Sequence, residues 1–250
     1  VKRNKEPNNK DTELRTQNTE LKKINTTGMK KITLLAAFCL TIGSLFAQKV
    51  VEKHANISAN GKVTLNIQIA DSIRVITWNK NEAYIKASVN VNDNKDNDDY
   101  EWTFDDANGD FSVKSKFKDN MKRTYRSDCN CTCNYESKIY VEVYVPENTS
   151  LSIETINGDI TITGKTADVK ARSISGFVDF AINPETKAYL EMKTISGTMY
   201  SNVDLGTNDK DKAKGARHVG GNNVNAELNG GGKRIDLESI SGDIYFRKAG

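Results

Sequence analysis

Apolar and polar residues alternate through much of the chain beyond residue 60, with the period of two that belongs to strands. Val63, Leu65, Ile67 and Ile69 form one such run, and Val89 and Val91 extend another. Apolar positions are denser over 73–76, before "WNKNE" supplies a turn, and Ile139, Val141, Val143 and Val145 alternate up to Pro146. Between these runs, "NDNKDNDDYEWTFDDANGDF" is acidic and rich in turn residues, and it predicts a loop or hairpin.

From residue 151 the alternation becomes a repeated phrase. "LSIETINGDITITG" is followed by "VKARSISGFVDFAI" at 169, "LEMKTISGTMYSNV" at 190 and "IDLESISGDIYFRK" at 235. Each has two apolar–x–apolar stretches around a turn dipeptide, Asn157-Gly158, Ser175-Gly176, Ser196-Gly197 or Ser241-Gly242. Glycine takes φ > 0 there without steric cost. Ile156, Ile174, Ile195 and Ile240 stand before each turn, where the alternation changes phase, and are expected to be buried corner residues.

The phrases start 18, 21 and 45 residues apart. The double interval leaves room for a degenerate coil around Val224–Leu228 and an exposed insertion. A period near twenty with two short strands per copy is that of a stacked solenoid. One copy cannot bury its own apolar face, but stacked copies share a continuous core. A sandwich of successive hairpins would repeat as well; the matching phase of the phrases favours the stack. The expected fold is all-β, a right-handed parallel β-solenoid resembling a β-helix.

The segment from Met29, "MKKITLLAAFCLTIGSLFAQ", has two lysines, an apolar run and a small-residue ending at Ala47, which is the pattern of a secretory signal peptide. Its apolar stretch is shorter than the roughly 20 residues of a membrane span, so no span is expected after cleavage. Phe38 stands where a lipoprotein signal would need a small residue before Cys39. Residues 1–28 are polar without apolar periodicity and are expected to be an upstream or disordered extension. The remaining organisation reads as a leader segment at 48–59 and a repeat domain at 60–250, with loop insertions near 92–135 and 204–222.

Charge changes meaning once the leader is set aside. The whole chain carries 36 basic and 33 acidic residues; removing the nine Lys/Arg and four Asp/Glu of residues 1–47 leaves 27 and 29. Without a basic excess, nucleic-acid binding loses its electrostatic support.

Candidate chemistry is sparse. The acidic 92–110 stretch lacks the spacing of a calcium loop, and no phosphate-cradling glycine loop occurs. Asp159 and Asp243 occupy the same repeat position, where a glycan-cleaving enzyme would need clustered carboxylates. Capping of turns is the simpler role. His54 and His218 fall in the leading segment and a Gly-rich insertion and are expected to be solvent-exposed. Cys129, Cys131 and Cys133 form the most unusual local feature. Alternate residues of an extended segment point the same way, so the thiols could pair as disulfides, within or between chains, meet a soft metal such as Cu(I), or stay reduced.

"SIRVITWNKNEAYIKA", "VYVPENTSLSIETINGDITI", the "ISG" copies and "AELNGGGKRIDLESISGDI" together resemble the putative-adhesin β-strand-repeat family, related to adhesin-head domains of bacterial surface proteins. The likeness covers roughly residues 60–248. It implies a right-handed β-solenoid and a cell-envelope setting, while "adhesin" names a similarity and not an activity. The expected location is the periplasm, the outer-membrane surface or the outside of the cell, and the expected partner an unknown protein or glycan there. The resemblance brings no catalytic residue, cofactor or metal, and the cysteine cluster is not part of the pattern. The expectation is an exported, non-catalytic binding or structural module capable of self-association; the alternative is a β-helix enzyme acting on polysaccharide as lyase or glycosidase.

Overall fold

The computed structural model describes residues 48–58, 61–119, 136–205 and 223–250, with the backbone alone at 217–219. The signal-like segment, the residues before it and the cysteine cluster lie outside the described residues. Gln48–Gly250 is one unit.

The described residues are all-β. Strands β1 (Lys49–Asn56), β2 (Lys62–Ile67), β3 (Ile69–Trp78), β4 (Glu82–Val91), β5 (Tyr100–Asp105), β6 (Phe111–Phe117), β7 (Ser137–Pro146) and β8 (Ser150–Thr163) precede the later phrases. Then come β9 (Val169–Ser175), β10 (Val178–Ile182), β11 (Ala188–Thr194), β12 (Met199–Ser201), β13 (Arg217–Val219), β14 (Asn223–Leu228), β15 (Lys233–Ser239) and β16 (Ile244–Lys248). They make a mixed sheet that bends into two faces and does not close. The hinge between faces is β8. Its first half pairs with β2 and β9, its second with β3 and β10, and the bend falls at Asn157-Gly158.

Six strand pairs stack in parallel on this plan, each giving one strand to either face. In spatial order they are β6/β7, β2/β3, the two halves of β8, β9/β10, β15/β16 and β11/β12. Antiparallel strands flank the stack, with β5, β4 and β1 at one end and β13 and β14 at the other. The apolar rows are continuous across it. Val63, Leu151, Val169, Ile235 and Leu190 are register partners on the first face. Ile73, Ile160, Val178, Ile244 and Met199 are partners on the second. Both rows are buried in one core.

A solenoid coiled in chain order is not what forms. The fourth phrase, β15/β16, lies between the second and the third. The region expected to hold a degenerate coil, Val224–Leu228, is β14 instead, antiparallel to β11 at the border. From there Asn229–Gly232 crosses over the start of β11, and β15 enters on its other side. Residues 48–59, read as a leader, supply β1, and the insertion read at 92–135 contains the β5–β6 hairpin.

The corners also correct the sequence reading. Ile156, Ile174 and Ile195 are 46%, 38% and 58% exposed, and Ile240 is half-buried. What points inward is the hydroxyl residue before each: Thr155, Ser173, Thr194 and Ser239 are buried. Ser173 Oγ donates to Gly158 O (2.9 Å), Ser239 Oγ to Gly176 O (2.9 Å) and Thr194 Oγ1 to Gly242 O (3.0 Å). The inside of the corner has no room for more. A Cβ on Gly176 would lie 2.2 Å from Gly158 O, one on Gly242 2.1 Å from Gly176 O, and one on Gly197 1.9 Å from Gly242 O. Of these glycines only Gly176 has a positive φ. Close backbone approach is therefore the general requirement for glycine here.

Tyr100 fastens the β5–β6 hairpin to the stack. Its buried hydroxyl donates to Ile69 O (2.6 Å) and lies 2.8 Å from Ser115 Oγ, and burial raises its pKa.

Two outcomes are expected from chemical unfolding of purified protein. Gly242→Ala should cost at least about 2 kcal/mol, because backbone must move, while Ile195→Asp should stay within about 1 kcal/mol. Equal losses would show that the corner has been assigned the wrong inside. Tyr100→Phe should cost about 1–2 kcal/mol by leaving a carbonyl unpaired, and unchanged stability would remove the hairpin anchor.

Candidate functional site

The outer side of the first face carries two rows running across the strands. One is polar and charged, passing in register through Thr103, Lys114, Asn66, Glu154, Arg172, Glu238 and Lys193. Beside it, the corner isoleucines Ile156, Ile174, Ile240 and Ile195 follow the same strand order, because each sits two residues after a member of that row. Strands are spaced about 4.8 Å apart, so the four isoleucines form a ridge of about 14 Å. At the β5–β6 end the face dips into an open groove of about 520 Å³ walled by Lys114, Lys116, Glu154, Ile156, Arg172 and Ile174.

The electrostatics of this surface are soft. Lys170 Nζ meets Glu154 Oε1 at 3.0 Å, and Lys116 Nζ meets Asp119 Oδ2 at 2.7 Å, a bond that raises the lysine pKa. Glu238 Oε2 lies 3.5 Å from Arg172 Nε, close enough for an ion pair without hydrogen-bond geometry. Exposed pairs of this kind are screened by solvent and contribute little to stability. They can be exchanged for charges on a partner at little cost.

The second face presents rings, but packed against one another. His54 stacks on Tyr84 at 4.4 Å, Tyr84 on Tyr144 at 6.1 Å, and Trp78 leans on Tyr144 at 5.2 Å. Lys80 covers Trp78 at 4.3 Å, and Trp78 Nε1 donates to Glu82 O. The ring faces are thus engaged across β1, β4, β7 and β3, and the cluster acts as a clasp on the border strands.

Among the described residues, those singled out by sequence do not assemble. Asp159 Oδ1 accepts from Phe177 N (3.1 Å), and Asp243 Oδ1 accepts from Thr198 N (2.8 Å). Asp243 Oδ2 also accepts from the Tyr245 hydroxyl at 3.1 Å. Both aspartates cap corners, with the Phe177 strand pair between them. Exposed His54 lies 3.2 Å from Glu82 Oε2 through Nδ1. His218 pairs by its backbone with Tyr200, and its side chain is outside the described residues. Among the described residues no group of three His, Cys, Asp or Glu side chains could hold a metal ion, and no helix is long and apolar enough to cross a membrane. The isoleucine ridge was missed as a surface. Its signal was the Ser or Thr that precedes the isoleucine in every phrase, a better occupant for a cramped polar corner.

No family model matches the sequence, and no curated protein matches it. Among solved structures, a putative cell adhesion protein from Clostridium sporogenes is 13% identical, over 81% of this chain and 100% of that one, with a TM-score of 0.46. A putative adhesin from Bacteroides fragilis is 8% identical over 81% of this chain and 98% of that one, TM-score 0.29. Another from Parabacteroides merdae is 8% identical over 61% and 64%, TM-score 0.29. These three structures are named for adhesion.

Proposed function

We propose that this protein is an exported, non-catalytic binding module of the bacterial cell envelope, and that the outer side of the first face is its contact surface. The observation that carries the reading is the ridge of exposed isoleucines beside a row of weakly paired charges. Contiguous apolar side chains on a polar rim mark a surface that gains by being covered. The ridge itself is aliphatic, which favours a protein partner over a glycan. The parallel stack, coiled about its own core though out of chain order, serves as the rigid support. A polysaccharide-cleaving enzyme would need free paired carboxylates, whereas Asp159 and Asp243 are engaged by backbone N–H groups.

The address rests on Met29–Ala47. Processing between Ala47 and Gln48 would release the chain to the periplasm, the outer-membrane surface or the medium, without lipid at Cys39. Mass spectrometry of envelope-fraction protein should find Gln48 as the first residue. An N-terminus at Met29 or a lipidated Cys39 would contradict export by this route.

Cross-linking pull-down from the native envelope tests the surface. The wild-type chain should capture a protein partner at least about tenfold better than an Ile156→Ser, Ile174→Ser, Ile195→Ser variant of equal melting temperature, since interface anchors of this kind dominate binding. Equal capture by both would reject the ridge, and release of sugar from a polysaccharide panel would reject the non-catalytic reading.

A further inference from the structure

The fourth phrase is the one placed out of chain order, and its partners are unusual. The strand pairs of β15 are with β9 and β11, and those of β16 are with β10 and β12. All are parallel. Neither strand pairs with β14, the strand that precedes them in sequence. Among strand contacts, residues 233–248 therefore fill a slot between two other strand pairs and are joined to the preceding strand through Asn229–Gly232 alone.

That connection is tight. Asn229, Gly230, Gly231 and Gly232 have φ of 52°, 84°, 75° and 159° in succession. The loop must cross β11 from one neighbour to the other, two strand spacings or about 10 Å. It lies directly on the start of β11. A Cβ on Gly231 would be 2.3 Å from the Tyr189 ring, and one on Gly232 would be 2.7 Å from Lys187 O. Asn229 Nδ2 ties the loop down through Pro184 O and Thr186 O, both at 2.9 Å.

We propose that residues 233–248 are an exchangeable donor segment, and that the slot between β9/β10 and β11/β12 accepts the same segment from a second copy of this chain. Every strand pair the segment makes is the same whether it arrives from its own chain or from another, and only the crossing loop differs. Exchange of an identical element has a low thermodynamic cost for this reason. In the exchanged form the loop runs outward and no longer has to fold over β11, and short constrained hinges favour that outcome. Before the segment enters, β9/β10 and β11/β12 expose unpaired backbone edges that template an incoming strand.

The slot is specific for this phrase among the four. Ser239 Oγ donates to Gly176 O on one side, and Asp243 Oδ1 receives Thr198 N on the other. Arg247 pairs with Asp179 of β10 through Nε and Nη2. No other phrase carries both an aspartate after the turn glycine and an arginine four residues on. The proposal does not rest on the ligand reading: the segment brings Ile240 to the same place between Ile174 and Ile195 whichever chain supplies it.

The test uses the full chain, kept in reductant so that cysteine pairing cannot contribute. Equal amounts of isotopically heavy and light protein are partly unfolded together, refolded, and coupled with a zero-length carbodiimide. Lys193 and Glu238 are register partners across β11 and β15, so their cross-link reports who donates the segment. In the dimer fraction, heavy–light peptides should make up about half of the Lys193–Glu238 cross-links, as random pairing into reciprocal dimers requires. Purely same-isotope cross-links in that fraction, or no dimer at all, would overturn the proposal.

A second variant, deleting Gly230–Gly232, leaves one residue to bridge the crossing. Its reach of about 7 Å falls short of the roughly 10 Å needed. Light scattering should show at least about a tenfold enrichment in dimer or longer assemblies, as hinge shortening favours exchange. A monomer with the wild-type circular dichroism spectrum would overturn the proposal. If that variant fails to fold, the wild-type isotope experiment decides.

Discussion

Where the repeat phrases turn from one face into the other, the backbone passes so close to its neighbour that a main-chain carbonyl occupies the place a side chain would take. The rest of the structure follows from that contact. The turn residue must be glycine, whatever its φ, because a Cβ on Gly158, Gly176, Gly242 or Gly197 would fall 1.9–2.6 Å from a neighbouring carbonyl oxygen. The inward position three residues earlier must be small and able to donate, which selects Thr155, Ser173, Ser239 and Thr194. Once these carbonyls have their donors, buried backbone polarity at the corner is satisfied, and the apolar rows on both sides can stack in register.

The same constraint accounts for the surface. With no room inside, the largest side chain of the corner goes outside, and four corners in succession place their isoleucines in one ridge. A feature required by folding thereby creates the most apolar strip of the outer face. The proposed contact surface and the scaffold are, in this account, two consequences of one backbone approach. The charged row beside the ridge owes its alternation to cross-strand pairing, as Glu154, Arg172 and Glu238 show.

Much of the architecture was readable from the sequence, because period-two alternation fixes both strand identity and the inward face. Val63, Leu65, Ile153, Ile160, Val141 and Val143 are all buried as their spacing requires. Three features were not readable, each for a physical reason. Alternation alone does not say which residue of a phase change turns inward, so the isoleucines were assigned to the core and their preceding hydroxyls were overlooked. Near-identical phrases are interchangeable as neighbours, so their order in space depends on single contacts such as Arg247 with Asp179. And β1 carries a weak pattern, with Val50 half exposed and Lys49 and Lys53 turned toward the end of the stack, because a border strand needs little burial. As for the candidate site, the aspartates were correctly read as turn caps, whereas the surface ridge came from residues expected to lie in the core.

The central claim is the spatial order of the phrases, with the fourth between the second and the third. Cross-strand proton contacts in a solution NMR spectrum measure it most directly. Contacts are expected from Ser173 and Ala171 in β9 to Ser239 and Leu237 in β15, and from those residues onward to Thr194 and Met192 in β11. Direct contacts between β9 and β11, with β15 beyond β11, would describe a stack in chain order and contradict it.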